Sequence, residues 1–178
     1  MRVIAGIYKG RKLAEFKGFE VRPTSDMARE SLFNVLNFRV QDSVFLDAFS
    51  GTGAVGIEAL SRGAKKVVFN DYSKESVKII KENLAKISNP NNAEVKNGDA
   101  NYLMQVKKGE FDIVFLDPPY NSSNAKEILE SARESIREDG IIVFEDQKPY
   151  LDEISGLELY DQRRYGKAYF SFFRRTKQ

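Results

Sequence analysis

Four consecutive residues, Asp117-Pro118-Pro119-Tyr120, are of types whose combination points to a particular chemistry. Neither proline carries a backbone N–H, so acceptors at this turn face no competing donor. Asp117 and Pro118 each precede a proline, which biases both toward extended backbone and fixes the aim of the Pro118 carbonyl. A carboxylate and a carbonyl held together suit the two N–H bonds of an exocyclic amine on a nucleic-acid base. Such a nitrogen is a poor nucleophile while its lone pair is delocalised into the ring. Gripping both hydrogens favours a pyramidal nitrogen that can attack. Tyr120 offers a ring on which an extruded base could stack, a contact worth roughly 1–3 kcal/mol in single-strand complexes. The plainer reading of the same residues is a Pro-Pro turn that ends a strand, with Asp117 as its cap.

A second group of residues suggests the electrophile. Gly51, Gly53 and Gly56 follow the G-x-G-x-x-G spacing, directly after the apolar run Val44-Phe45-Leu46-Asp47. Asp71 ends the next apolar run, twenty residues beyond Gly51. This arrangement fits an adenosine ligand whose ribose hydroxyls meet the acidic side chain. It would fit a nicotinamide cofactor equally, except for Asp47. A carboxylate four residues before the first glycine suits a cationic amino acid and would repel a pyrophosphate. Asp99, within Gly98-Asp99-Ala100, adds a further acceptor in reach of an adenine amino group. The expected ligand is therefore S-adenosylmethionine, held by Asp47, Phe49, Gly51, Gly53, Asp71, Tyr72, Asp99 and Ala100. Each carboxylate could instead be a helix cap. Amine attack on a sulfonium methyl leaves an acidic ammonium nitrogen, so no strong base is required.

Positioning these groups takes strands that end at the carboxylates. Val44–Asp47, Lys66–Asp71, Ala93–Lys96, Asp112–Leu116 and Ile141–Glu145 read as strands. The apolar stretches are unbroken, as in parallel strands covered on both faces. Helical patterns lie between them, over Ala54–Arg62, Lys74–Ile87, and near 100–107 and 124–137. The alternation argues for a doubly wound α/β sheet. Gly156–Arg164 and Lys167–Arg175 read as an antiparallel pair around Gly166 at one edge. At the start, Arg2–Ile7 and Arg11–Phe16 can form a hairpin around Lys9-Gly10. A helix over 26–38 follows, with Thr24 or Ser25 as its N-cap. The whole reads as one domain, 1–178, in which an extension over 1–40 precedes a core over 41–178.

Composition narrows the function. The chain has 178 residues, no cysteine and no histidine. Thiolate metal sites, Ser-His-Asp hydrolysis and Cys-His proteolysis are excluded by counting, and no metal site is expected. No apolar run is long enough to span a bilayer and no signal peptide is visible, so a cytoplasmic protein is expected. The net charge of +2 hides an asymmetry. Residues 1–29 carry seven basic side chains against three acidic, and residues 163–178 carry six against none. Clustered cations of this kind suit a phosphate backbone, although basic ends also simply aid solubility. Lys9, Arg11, Lys12, Arg22 and Arg29, interleaved with Tyr8 and Phe16, are the expected RNA contacts. Arg22 and Arg29 could alternatively pair with Asp26 or Glu30.

Over nearly its whole length the chain resembles the RsmD family of bacterial methyltransferases. The resemblance rests on Met1-Arg2-Val3-Ile4-Ala5-Gly6, Lys9-Gly10-Arg11-Lys12-Leu13, Arg22-Pro23-Thr24-Ser25-Asp26, Arg29-Glu30 and Leu32-Phe33-Asn34. It continues through Asp47 to Gly56, Glu58 to Ala64, and Phe115 to Tyr120. Asp117-Pro118-Pro119-Tyr120 is also similar to the signature of adenine-N6 DNA methyltransferases, so the N-terminal block is the specific part. The resemblance implies a Rossmann-like class I methyltransferase fold, with strand order 3-2-1-4-5-7-6 and strand 7 antiparallel. It implies methylation of guanine N2 in small-subunit ribosomal RNA, within an assembling particle, by a monomer. Cofactor contacts at Asp47, Gly51, Gly53, Asp71, Asp99 and Ala100, and chemistry at Asp117 to Tyr120, follow from the same resemblance. Relatives often carry glutamate where this chain has Asp71; the shorter side chain keeps the carboxylate. Two rival readings are an adenine-N6 DNA methyltransferase and a non-catalytic RNA-binding assembly module.

Overall fold

The computed structural model describes residues 1–17, 24–119 and 124–177. Five short parallel strands are built from the apolar runs: β1 (Val44–Asp47), β2 (Lys66–Asp71), β3 (Ala93–Asn97), β4 (Phe111–Leu116) and β5 (Ile136–Asp146). Two antiparallel strands, β6 (Leu157–Tyr165) and β7 (Ala168–Arg175), extend the sheet. The order is β3-β2-β1-β4-β5-β7-β6, as the family resemblance implied, with β7 antiparallel to β5. Helices α1 (Asp26–Leu36), α2 (Ala54–Ser61) and α3 (Lys74–Lys86) cover one face. The other face is covered by α4 (Ala100–Val106) and α5 (Ala125–Ser135). Burial alternates along each central strand: Phe45, Phe115 and Val143 point into the first layer, and Leu46, Leu116 and Phe144 into the second. Such two-sided burial explains why the runs are continuously apolar.

Three boundaries differ from the sequence reading by two residues or more. β5 begins at Ile136, five residues before the expected start, and α5 stops at Ser135 rather than 137. Ile136 pairs with Phe111, and the ladder is then interrupted before Ile141 meets Ile113. The polar run Arg137-Glu138-Asp139 is exposed at that irregularity, so its hydropathy conceals a strand. α1 ends at Leu36, where Asn37 at φ 45° breaks the helix into a 3₁₀ turn over Asn37–Arg39. Of the two candidate caps, Ser25 performs the role by accepting from the Ala28 N–H.

The expected N-terminal hairpin is reduced to one antiparallel bridge between Arg2 and Lys12. Around it Val3 and Leu13 donate to the Arg11 and Met1 carbonyls and Gly10 to that of Val3, so the two segments do pair, and other backbone groups are met from the helices. The Glu58 carboxylate accepts from the N–H groups of Ile4 and Ala5, and Ser61 Oγ accepts from Tyr8. Further along, the Asn83 amide pairs with both the N–H and the carbonyl of Ala14. Gly6 approaches α2 so closely that a Cβ there would lie 1.8 Å from the Ser61 carbonyl oxygen. The arm therefore lies along α2 and reaches α3. No helix among the described residues is long and apolar enough to cross a membrane.

Candidate functional site

The carboxyl ends of β1, β2, β4 and β5 and the loop after β3 converge on one edge of the sheet, and each brings an acidic side chain. At β1 the chain turns sharply through Ala48–Gly53 into α2. Ser50 fixes that turn: its hydroxyl donates to the Asp47 carbonyl, and its N–H donates to the Asn70 carbonyl at 2.9 Å. The three glycines have separate reasons. Gly53 adopts φ +81° to open α2, while a Cβ on Gly56 would lie 2.3 Å from the Phe69 ring. At Gly51 a Cβ would meet nothing within 4 Å, so its backbone faces open space that a ligand can approach.

Asp47 is buried beneath this loop, and its Oδ2 accepts the Gly56 N–H at 3.0 Å. Burial pushes its pKa up to about 7, against the opposing pull of that hydrogen bond. Asp71 crosses to the loop from β2, accepting the Gly51 N–H on Oδ2 and the Ser73 N–H on Oδ1. Asp99 caps α4 by accepting from the Tyr102 N–H at 2.8 Å. The cap role and the ligand role are compatible, because each carboxylate oxygen keeps a second lone pair. Asn70 ties the edge together by donating to the carbonyls of Ala48 and Gly98.

These features could hold an adenosine-bearing ligand. Gly98, like Gly51, faces open space. The Oδ1 atoms of Asn70 and Asn101 are buried without a hydrogen-bond partner among the described residues. Tyr72 presents its ring to solvent at 83% exposure, and Phe49 is half-buried beside the loop. Both asparagines, and Tyr102 at 68% exposure, were missed by the sequence reading. The signal for Asn70 was its place one residue before Asp71; asparagine in a buried strand needs partners.

At the end of β4, Asp117 is half-buried, Pro118 is buried and Pro119 is exposed. Tyr120 and Arg22, both singled out from the sequence, lie outside the described residues. Burial, then the charges of Glu145, Asp47 and Asp146, hold the Asp117 carboxyl well above the ordinary carboxylate range. Glu145, at the end of β5, is 4% exposed and is itself pushed up to about 7 by burial. It accepts a hydrogen bond from Thr24 Oγ1 at 2.8 Å. The sequence reading placed neither residue in the site. Glu145 ends an apolar run just as Asp47 and Asp71 do, and the same rule applied there would have found it. Among the described residues no group of acidic, histidine or cysteine side chains could hold a metal ion.

The basic residues separate into two kinds. Lys9, Arg11 and Lys12 are exposed on the N-terminal arm. Tyr8, beside them, bonds to Ser61 at the last turn of α2, so that contact lies at the opposite end of α2 from the glycine loop, on the order of 10 Å along the helix. The arm does not bring them to Asp117. Arg29 has to be removed from the expected RNA contacts. It is 0% exposed, bonded to Asp26 at 3.0 Å and to the carbonyl of Arg2, with Glu58 3.8 Å away. Amphipathic α1 turns it inward, where it serves as the counter-ion of a buried carboxylate.

The family described as Conserved hypothetical protein 95 matches residues 1–174. Among curated proteins, the chain is 36% identical over 173 residues to a putative rRNA methyltransferase, YlbH, of Bacillus subtilis, covering 93% of this chain and 94% of that one. It is 40% identical over 132 residues to ribosomal RNA small subunit methyltransferase D of Haemophilus influenzae, covering 72% and 68%. Among solved structures, a putative methyltransferase, YhhF, from Escherichia coli superposes with a TM-score of 0.88 at 30% identity, over 100% of this chain and 99% of that one.

Proposed function

Since the chain belongs to the RsmD family of small-subunit ribosomal RNA methyltransferases, we infer that it methylates the exocyclic N2 amine of a guanine in that RNA, using S-adenosylmethionine. The observation that carries the reading is Asp117-Pro118 at the end of β4, in the row of strand ends that also builds the glycine loop. S-adenosylmethionine, when bound, supplies a methyl group on a cationic sulfur. The protein's part is to hold that group and present the amine to it.

Gly51 and Gly53 let the loop backbone come close, and the free lone pairs of Asp71 suit ribose hydroxyls. Asp47 places negative charge under the loop for the amino-acid end. Asp99, Ala100 and the unpartnered Asn101 carbonyl line the adenine end, with Phe49 and Tyr72 flanking. Asp117 and the Pro118 carbonyl accept the two N–H bonds of the base, Pro119 keeps the turn free of donors, and Tyr120 stacks on the ring. Holding amine and methyl in line supplies much of the rate by orientation alone. The base must leave its stack to reach Asp117, which favours a loop or bulge over a duplex.

Residues 41–178 act as the catalytic core, and 1–40 as an extension through which Lys9, Arg11, Lys12 and Arg22 contact RNA. The natural substrate is a small subunit in assembly, and the enzyme works as a monomer in the cytoplasm. The test is transfer of label from S-adenosylmethionine to unmodified small ribosomal subunits, followed by nucleoside analysis, with Asp117→Ala in parallel. Label on guanine N2, abolished in the variant while the cofactor still binds, is the expected result. Label on adenine, or on DNA alone, would overturn the substrate; an unimpaired Asp117→Ala enzyme would overturn the amine grip.

A further inference from the structure

The last sixteen residues of the sequence carry six basic side chains and none acidic, and the fold divides them between the two ends of the sheet. β7 runs antiparallel to β5, pairing Tyr169 with Asp146 and Arg174 with Ile141. Its start, and the turn that joins it to β6, therefore lie beside the carboxyl end of β5, at the edge that carries Asp117. Arg163, Arg164 and Lys167 go to that edge, and Arg174, Arg175 and Lys177 go to the opposite one. At the opposite end the arginines are committed to the fold. Arg174 donates twice to Glu158, and Arg175 donates to the carbonyls of Arg133 and Ile136.

At the reaction edge Arg163 pairs with Asp161, but Arg164 and Lys167 meet no carboxylate among the described residues. Arg164 lies over the Tyr169 ring, 5.4 Å from its centroid, and its Nε donates to the Gly166 carbonyl. The turn itself has two residues, Gly166 and Lys167, and the φ of +62° at Gly166 is what so tight a hairpin needs. A Cβ on Gly166 would meet nothing within 4 Å, so space is open on that side of the turn. Lys148, exposed two residues beyond the end of β5, lies in a segment that Gln162 of β6 holds through the Tyr150 carbonyl. It too meets no carboxylate among the described residues.

Strand spacing gives the distance to the chemistry. Leu116 lies opposite Phe144 on β5, and β7 is one strand further out. The hairpin thus stands two to three strand spacings from Asp117, on the order of 10–15 Å. Charge makes this proximity matter. Asp47, Asp117, Glu145 and Asp146 gather at the ends of β1, β4 and β5, so the reaction edge is acidic. An RNA strand that delivers a base to Asp117 brings its phosphates against those groups, and cations close by must offset the repulsion. We propose that the β6–β7 turn is an RNA-contact surface: Arg164, Lys167 and Lys148 hold the phosphates that flank the target base while Asp117 holds its amine. The proposal rests on the RNA methylation inferred above and says where on the molecule the flanking strand lies.

Arg164→Glu combined with Lys167→Glu should raise KM for unmodified small subunits by about tenfold or more at low salt. Neither side chain belongs to the glycine loop or the amine grip, so kcat and cofactor affinity should stay within about threefold. The dependence of log K on log salt concentration should flatten by about 1.4, the value for two single-strand phosphate contacts. Lys177→Glu, at the other end of the sheet, should leave KM unchanged. Because the chain has no cysteine, Lys167→Cys offers a single point for a photoreactive label. Its crosslinks should fall on nucleotides flanking the methylated guanine, whereas those from Lys177→Cys should not; this decides the matter even where the glutamate pair misfolds. Unchanged KM in a folded glutamate pair, an equal loss in Lys177→Glu, or crosslinks remote from the methylated base would each overturn the proposal. RNA binding that the glutamate pair weakens, in a protein that transfers no methyl group, would instead leave the surface standing and bring down the function it serves.

Discussion

At the scale of single residues, the reaction edge stores charge that the fold alone does not want. Asp47 and Glu145 are both pushed up to about 7 from ordinary values of 3.8 and 4.5, chiefly by burial. The folded protein therefore binds these protons more tightly than the unfolded chain. Their contribution to stability is complete below about pH 4, is lost as pH rises through about 7, and is constant above that. Each tenfold difference in proton affinity is worth about 1.36 kcal/mol, so the loss is on the order of a few kcal/mol. Glu94 acts in the opposite sense: hydrogen bonds from Lys66 and Lys96 lower it to about 2, so its contribution fails only in stronger acid and does not overlap this window. Thermal unfolding of the ligand-free protein should thus show Tm falling from about pH 4.5 to 7.5 and levelling above. Asp47→Asn should flatten the fall and raise Tm at pH 8, while weakening cofactor binding. A Tm that climbs through this window, or an Asp47→Asn profile parallel to wild type, would show that these carboxyls do not carry the burden assigned to them.

At the scale of elements, the N-terminal arm is held to α2 and α3 by side chains, and Glu58 is the centre of that arrangement. It is fully buried, accepts from Ile4 and Ala5, and bonds Arg62 at 2.8 Å, with Arg29 alongside. Glu58→Gln removes the charge that Arg29 and Arg62 share, leaving the buried guanidinium of Arg29 to Asp26 alone. Breaking a buried pair in this way costs about 3–5 kcal/mol. The expected outcome is a matching drop in stability by denaturant unfolding, with faster proteolysis inside residues 1–17. A loss below about 1 kcal/mol would mean that the arm is docked by its apolar contacts, Val3 and Leu13, instead. None of this was legible in the sequence. Glu58 lies within a helix that reads as apolar, and nothing in its neighbours announces that a chain segment fifty residues earlier will bond to it. The central strands were legible, because two-sided burial writes itself as unbroken Val, Ile, Leu and Phe. So was the glycine loop, whose spacing reflects local geometry. Lost to a linear reading were features set by neighbours distant in the chain: the early start of β5, hidden in Arg137-Glu138-Asp139, the inward turn of Arg29, and the Thr24–Glu145 contact.

At the scale of the whole molecule, charge is segregated along the chain and, with Arg29 turned inward, an RNA surface on the arm is left to its exposed cations. Lys9, Arg11 and Lys12 stand on an arm whose Tyr8 bonds the end of α2 opposite the glycine loop, on the order of 10 Å along the helix. A structured RNA is tens of ångströms across, so it can touch these cations while one flipped base reaches Asp117. Their contacts would be with phosphates, which carry affinity and register but no base identity. Three substitutions to glutamate at these positions should therefore weaken RNA binding strongly at low salt. They should also flatten the dependence of log K on log salt concentration by about 2, since each lost single-strand phosphate contact removes about 0.7. The arm's backbone bonds to Glu58, Ser61 and Asn83 involve none of these side chains, so fold and cofactor affinity should be unaffected. The salt slope is the discriminating quantity: weaker binding with an unchanged slope would mean that the substitutions disturbed the arm's shape. Unchanged affinity together with an unchanged slope would move the RNA surface elsewhere on the molecule, and the cations of residues 163–178 would be the next to reverse.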